Sequence, residues 1–133
     1  MLKLMLVEDG RVLWEIPLQA RGWDRRSLKQ ELDEMEAEID RFEAMFHALA
    51  NEGRMRMMRS FFRDAGKPRA FTELMNELGM NPKIVAESTR RLRGTGLIEK
   101  SEDGRYMTTQ AGEAQFLMMS VALRRMLEFL DDI

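Results

Sequence analysis

Hydrophobic residues follow a heptad spacing along residues 24–50. They recur at alternating steps of four and three, at Leu28, Leu32, Met35, Ile39, Phe42, Phe46 and Leu49. An average step of about 3.5 is typical of a coiled-coil seam. The spacing predicts one long helix over 24–50 that begins near Asp24 or Ser27. Its predicted dimer-interface residues are Leu28, Leu32, Met35, Ile39 and Phe42. The alternative is an amphipathic helix that packs on its own domain.

A similar spacing ends the chain. In residues 109–133, Thr109 can cap a helix whose apolar positions step by three and four, at Phe116, Met119, Leu123, Met126 and Leu130. This pattern predicts a second long dimerisation helix. Its predicted interface residues are Phe116, Leu123 and Leu130.

Two β-hairpins are predicted from one tetrapeptide. The β-prone runs 2–7 and 12–18 are joined by Glu-Asp-Gly-Arg at 8–11, and Asp-Gly favours a tight hairpin because both residues tolerate positive φ. Residues 1–23 are therefore predicted to form a hairpin with Val12, Trp14, Ile16 and Leu18 on one face. The same tetrapeptide recurs at 102–105, between the runs 97–101 and 106–108. We interpret the repeat as one turn conformation used twice.

Short helices fill the segment between the long helix and the second hairpin, within a module predicted over 51–108. Asn51 can cap the first helix, which has its core face at Met55, Met58, Phe61 and Phe62 and precedes a break at 64–68. The second helix is predicted to begin with Thr72 as its cap and to end at Gly79. Asn81-Pro82 then opens a third helix that runs to about Arg93. Two short helices joined by Gly79-Met80-Asn81 predict a helix-turn-helix.

These elements resemble the winged-helix regulators of the ArsR/MarR type over about residues 43–112. The resemblance rests on the stretch Ala48–Met58, on Phe71–Leu74, on Val85–Leu92 and on Gly96–Glu99. It implies a mainly α (α+β) fold: a winged helix-turn-helix, here with an added N-terminal β-hairpin and long N- and C-terminal dimerisation helices. It also implies a DNA-binding transcription regulator. Thr89 stands where the family places a buried Leu, which predicts a thinner core there.

The third helix has two predicted faces. At about 100° per residue, Val85, Thr89 and Leu92 share a core side. A charged stripe on the opposite side could lie in a major groove, where Arg binds guanine edges and Glu accepts from cytosine. The predicted DNA-binding residues are Asn81, Lys83, Glu87, Arg90, Arg91, Lys100, Arg105 and Arg54. The alternative for the stripe is a solvated face with salt bridges between residues four apart.

The charge distribution supports this choice of module. Residues 51–105 hold 12 basic and 8 acidic residues and so carry a net charge of +4, whereas 1–50 carry −4 and 106–133 carry −2. Such asymmetry is expected where one segment faces a polyanion. The expected partners are double-stranded DNA and a second copy of the chain. A winged helix that binds a protein partner without DNA is the alternative function.

Composition excludes several kinds of chemistry. The chain has 133 residues, no cysteine and one histidine, His47. Thiolate metal sites and thiol nucleophiles are therefore excluded, and the metal-sensing branch of the resembled family is not implied. We expect no cofactor, no metal and no enzymatic activity. The 13 methionines are consistent with ordinary core or with an adaptable pocket for a hydrophobic effector. No apolar run is long enough for a membrane helix, so the cytoplasm is the expected location.

Overall fold

The computed structural model describes residues 1–63 and 66–132. The chain forms two compact units, Met1–Phe42 and Glu43–Ile133. Their boundary lies earlier than the predicted module boundary at residue 50. Within the described ranges, no helix is both long enough and apolar enough to cross a membrane.

The first unit begins with the predicted hairpin. Strand β1 (Lys3–Glu8) pairs antiparallel with β2 (Arg11–Pro17). The turn between them has positive φ at both Asp9 (50°) and Gly10 (81°), as a two-residue hairpin turn requires. The prediction that β2 has a single apolar face is wrong. Leu6 pairs with Trp14 whereas the next residue, Val7, pairs with Val12, so the register shifts between them. The bulge turns Val12 to the opposite face of the hairpin.

A short 3₁₀ turn (Ala20–Gly22) leads into helix α1 (Arg25–Ala37). Asp24, one of the two predicted caps, accepts hydrogen bonds from Ser27 N (2.9 Å) and Ser27 Oγ (2.7 Å). These bonds from the Ser27 hydroxyl and N–H hold the pKa of Asp24 below its ordinary value. They also satisfy one of the free N–H groups at the helix start.

The single helix predicted over 24–50 is wrong. Helix α1 ends at Ala37, and helix α2 (Ile39–Leu49) begins after Glu38, whose φ of −106° and ψ of 13° are not helical. The break involves neither glycine nor proline. The apolar residues also keep their spacing across it. The sequence pattern therefore does not reveal the break.

The second unit holds the core of the predicted module. Helices α3 (Glu52–Arg63), α4 (Phe71–Leu78) and α5 (Pro82–Gly94) pack with strands β3 (Ile98–Lys100) and β4 (Tyr106–Thr108). Fully buried side chains at the centre are Met57, Met58, Phe61, Leu74, Val85, Leu92 and Leu97. Met57 was not among the predicted core residues. The cap predictions at Asn51 and Asn81 are confirmed, because their Oδ1 atoms accept from Arg54 N (3.0 Å) and Ile84 N (2.9 Å).

The start of α4 differs from the prediction. The cap residue is Ala70 rather than Thr72, and the Ala70 N–H donates to the Glu73 carboxylate at 3.4 Å. Just before it, Arg69 is held extended by two backbone hydrogen bonds with Tyr106, both of 2.8 Å. This contact with β4 fixes where the helix can begin. The predicted break at 64–68 starts with two residues that lie outside the described ranges.

The second Glu-Asp-Gly-Arg forms a different turn from the first. Ser101 O accepts from Gly104 N (3.0 Å), Ser101 N donates to Arg105 O (2.7 Å), and Gly104 is the residue with positive φ (84°). In the first hairpin Asp9 also has positive φ. Our interpretation of one turn conformation used twice is therefore wrong, because the length of the connection, not the tetrapeptide, determines the turn.

The C-terminal helical segment begins as predicted with Thr109, whose Oγ1 accepts from Gly112 N at 2.8 Å. Helix α6 (Gln110–Leu117) continues through a π-helical turn (Met118–Ala122) into α7 (Leu123–Asp131). The wider turn interrupts the predicted regular spacing. Residue 133, the last of the predicted 109–133 segment, is outside the described ranges.

Phe116 belongs to the core of its own chain. The side chain is only 8% exposed, and its ring stacks on Phe62 with a centroid distance of 5.4 Å. Its prediction as a dimer-interface residue is therefore wrong. The helical spacing that suggested an interface places the first apolar residue of the series against α3 instead.

Candidate functional site

Helix α5 presents the predicted two faces. Val85, Thr89 and Leu92 are between 0 and 3% exposed, as predicted for its core side. Ser88, at 5% exposed, is a further buried residue that the angular analysis did not include. The opposite face carries the exposed side chains of Lys83, Glu87, Arg90 and Arg91. The helix therefore presents these four charged groups outward from a hydrophobic scaffold.

Two cations of this outward face form no ion pair within the part of the chain that the structure describes. Arg91 Nε lies 3.4 Å from Glu87 Oε1, so those two side chains form an ion pair one helical turn apart. Among residues 1–63 and 66–132, no carboxylate forms an ion pair with Lys83 or Arg90. We call Lys83 and Arg90 the free pair of α5. The predicted solvated face with internal salt bridges accounts for only half of the stripe.

Two of the predicted DNA-binding side chains have structural roles. Asn81 caps α5 through its amide oxygen, as described above. Arg54 donates from Nε to Ala48 O (2.5 Å) and from Nη2 to His47 O (2.7 Å), so its guanidinium covers carbonyl groups at the end of α2. Partial burial, followed by the positive charge of Arg91, lowers the pKa of Arg54. The sequence could not show this use because it depends on the turn between α2 and α3.

In the second hairpin, the guanidinium of Arg105 already forms an ion pair. Arg105 Nη1 contacts Glu73 Oε1 at 2.9 Å and thereby joins the hairpin to α4. Lys100 is exposed, and its Nζ lies 5.5 Å from the centre of the Tyr106 ring. At the tip, hydrogen bonds from the Ser101 hydroxyl and the Arg105 N–H, together with the positive charge of Arg105, hold the pKa of Asp103 below its ordinary value. The hairpin thus combines one available lysine with an ionised tip carboxylate.

The predicted interface faces are largely exposed. On α1 and the start of α2, Leu32, Met35 and Ile39 are 52, 43 and 54% exposed, while Leu28 and Phe42 are half-buried.

On α7, Leu123 and Leu130 are 46 and 43% exposed. Leu127, which the stepwise series omitted, is 52% exposed and lies between them on the same helical face. Each of these two faces is an apolar surface without a cover from its own unit.

Part of the second unit matches a known protein family. Residues 51–100 match the family model described as bacterial regulatory protein, arsR family. The predicted resemblance is confirmed. The second unit contains a winged helix-turn-helix, in which α4 and α5 are the helix-turn-helix and β3 and β4 form the wing. No curated protein sequence matches the chain.

Two solved structures share this winged-helix fold. One is the homodimeric winged helix-turn-helix DNA-binding domain of a possible ArsR-family transcriptional regulator from Mycobacterium bovis, with a TM-score of 0.57 and 21% identity over 69% of this chain and 86% of that one. The other is reduced HlyU from Vibrio cholerae, with a TM-score of 0.50 and 21% identity over 65% of this chain and 94% of that one. At these identities the likeness establishes the fold.

Thr89 is buried in α5 at the position where the resemblance predicts a Leu. The Thr89 hydroxyl donates to Val85 O at 2.8 Å, so its buried polar group is satisfied within α5. A satisfied hydroxyl costs far less to bury than an unpaired one. Helix α5 is therefore held at this position without the larger side chain.

Proposed function

We propose that this chain is a transcription regulator that binds double-stranded DNA through α5. The observation that carries the proposal is the free pair, Lys83 and Arg90, on the exposed face of the second helix of a helix-turn-helix. Such a helix lies in the major groove in many DNA-binding proteins. Its rigid attachment through Val85 and Leu92 supports the same role.

Each charged group of α5 has chemistry that fits a groove. The guanidinium of Arg90 can donate two hydrogen bonds to a guanine edge, and Lys83 can reach a guanine or a phosphate. The ion pair between Glu87 and Arg91 holds both side chains in defined positions, and the carboxylate could accept from a cytosine amino group. Lys100 of the wing adds a candidate phosphate contact.

We further propose that the chain acts as a homodimer through the apolar faces of α1 and α7. Exposed leucines at helical spacing, such as Leu32 and Leu127, gain several kcal/mol in total when they are covered (about 25 cal/mol per Å² of apolar surface). The Mycobacterium bovis domain with the same fold is described as homodimeric. A dimer would present two copies of α5 about one DNA turn, roughly 34 Å, apart. It would also double the phosphate contacts of a module with a modest net charge.

The test begins with selection of bound fragments from a random DNA pool, followed by gel-shift titration of the selected site. Lys83→Ala plus Arg90→Ala should weaken binding by at least about tenfold, since each good base contact contributes about 1–3 kcal/mol. The matched control removes the same two charges from α1, as Arg25→Ala plus Arg26→Ala, and should bind normally. Absence of binding at low salt, or equal affinity of the α5 variant and wild type, would refute the proposal. That outcome would favour a winged helix that binds a protein partner.

The dimer is tested by light scattering. Leu32→Glu plus Ile39→Glu should yield a monomer mass, because four charges would enter the interface of the dimer. The control adds the same charge off the predicted seam, as Gln30→Glu plus Ala37→Glu, and should remain dimeric. The altered positions of both variants are exposed in the single chain, so both variants should fold, and circular dichroism checks this. A wild-type monomer, or an unchanged dimer in the first variant, contradicts the proposed interface.

A further inference from the structure

A concave pocket lies between α3 and α4, apart from the proposed DNA-binding face of α5. It encloses about 410 Å³, within the usual range for small-molecule sites. Its apolar lining comes from Phe62 and Leu78, and Ser60 also borders it. Three arginines of α3, at positions 56, 59 and 63, complete the α3 side.

The arginines of this pocket outnumber the carboxylates that meet them. Glu77 is the acidic lining residue, and it already binds Arg63 (Nη1 to Oε1, 3.2 Å) and the buried Arg69. In the part of the chain that the structure describes, neither Arg56 nor Arg59 forms an ion pair with a carboxylate. Both guanidiniums therefore have donors available at the mouth of the pocket.

The arrangement of these arginines along α3 is unfavourable without an anion. Arg56, Arg59 and Arg63 are three and four residues apart, so they are neighbours on one face of the helix. Like charges at these spacings destabilise a helix. Arg56 makes one long hydrogen bond, from Nη2 to Leu78 O at 3.4 Å, and can be withdrawn at little cost. An oxyanion bridging Arg56 and Arg59 would relieve the repulsion.

From this geometry we propose that the pocket binds a small phosphate-bearing molecule through Arg56 and Arg59. A phosphate offers several oxygens to two guanidiniums, each of which can donate two hydrogen bonds in one plane. The apolar lining suits the organic part of a phosphomonoester. Binding would draw Arg56 from Leu78, the last residue of α4, directly before the turn to α5. The site is independent of the proposed function, because it uses no residue of α5.

Calorimetric titration of the full chain tests this site with two probes, inorganic phosphate and glycerol 2-phosphate, in buffer of constant ionic strength set with chloride. We expect saturable binding of at least one probe. Arg56→Gln plus Arg59→Gln should weaken it by about tenfold or more. The control Arg124→Gln plus Arg125→Gln removes the same charge from α7 and should bind as wild type does. Tighter binding of inorganic phosphate would indicate free phosphate as the ligand, and tighter binding of glycerol 2-phosphate would indicate a phosphomonoester. Either result supports the site.

Three outcomes would overturn the inference: no saturable binding, equal loss in the α7 control, or binding of succinate as tightly as phosphate. Gel shifts of the same variants separate this result from the proposed function. If Arg56→Gln plus Arg59→Gln weakens DNA binding while neither phosphate probe binds the wild type, the two arginines contact the DNA backbone and the pocket is not a small-molecule site. Normal DNA binding with loss of phosphate binding supports the pocket alone.

Discussion

The contact between α6 and the backbone of Leu97, the residue before β3, predicts that Gly112→Ala destabilises the protein. Gly112 is buried, and a Cβ atom built on it would lie 2.7 Å from the carbonyl carbon of Leu97 and 2.8 Å from its Cα. Normal contacts between carbon atoms are about 3.5–4.0 Å. The helix would have to move by about 1 Å from the Leu97 backbone. That movement would strain the hydrogen bond from Thr109 N to Leu97 O (3.2 Å).

Two opposing effects determine the magnitude. Replacement of glycine by alanine within a helix gains about 1 kcal/mol from propensity alone. Overpacking of a tight site usually costs about 1–3 kcal/mol, and here the neighbour is rigid backbone, so we place the cost at or above about 3 kcal/mol. The net loss in the free energy of unfolding is then about 2 kcal/mol. For a chain of this length, that corresponds to a fall in Tm of about 7 °C.

Gly94→Ala is the matched control for this experiment. Gly94 is the last residue of α5, its φ is not in the left-handed region, and a Cβ there would meet no atom within 4 Å. This variant should gain about 0.5–1 kcal/mol. Urea unfolding followed by circular dichroism measures both changes. Equal or greater stability of Gly112→Ala than of wild type would refute the argument that α6 approaches the Leu97 backbone this closely.

Two further predictions concern single carboxylates. Asp24 titrates below its ordinary range in the folded chain, so its contribution to stability is present above its ordinary pKa and is lost as the pH falls through the lowered value. Ser27→Ala should return the midpoint towards the ordinary one, as measured from the carboxyl carbon shift by NMR; an unchanged midpoint contradicts the assigned cause. Glu73→Gln should remove the shorter of the two ion pairs of Arg105 and leave the longer one, from Nε to Asp103 Oδ2 at 3.7 Å. The guanidinium would then be more available to phosphate, so the proposed DNA binding should strengthen, while stability changes by less than about 1 kcal/mol, since the ion pair is exposed. Weaker binding in a gel shift at low salt would show that Arg105 must be held by Glu73.

The features that the sequence predicted correctly depend on neighbours within a few residues. The caps at Asn51, Asn81 and Thr109 need only their own helix starts, and the buried face of α5 follows from its period. The break at Glu38 was missed because no local residue type produces it. The capping role of Arg54 was also missed, since it requires the path of the chain between two helices. Spacing identifies apolar faces, but it does not say whether a face such as that of Phe116 meets its own chain or another.

The π-helical turn at Met118–Ala122 has a consequence for how this chain can change over time. Such a turn holds one residue more than a regular helix does over the same path. Deletion of one residue there would let the segment close into regular helical turns, with the core contact of Phe116 and the faces of Leu123–Asp131 left near their present directions. The same deletion in a regular part of the helix would rotate everything beyond it by about 100°. The π-helical turn is therefore the place in this segment where the chain can become one residue shorter without turning the apolar face of α7 away from its neighbour.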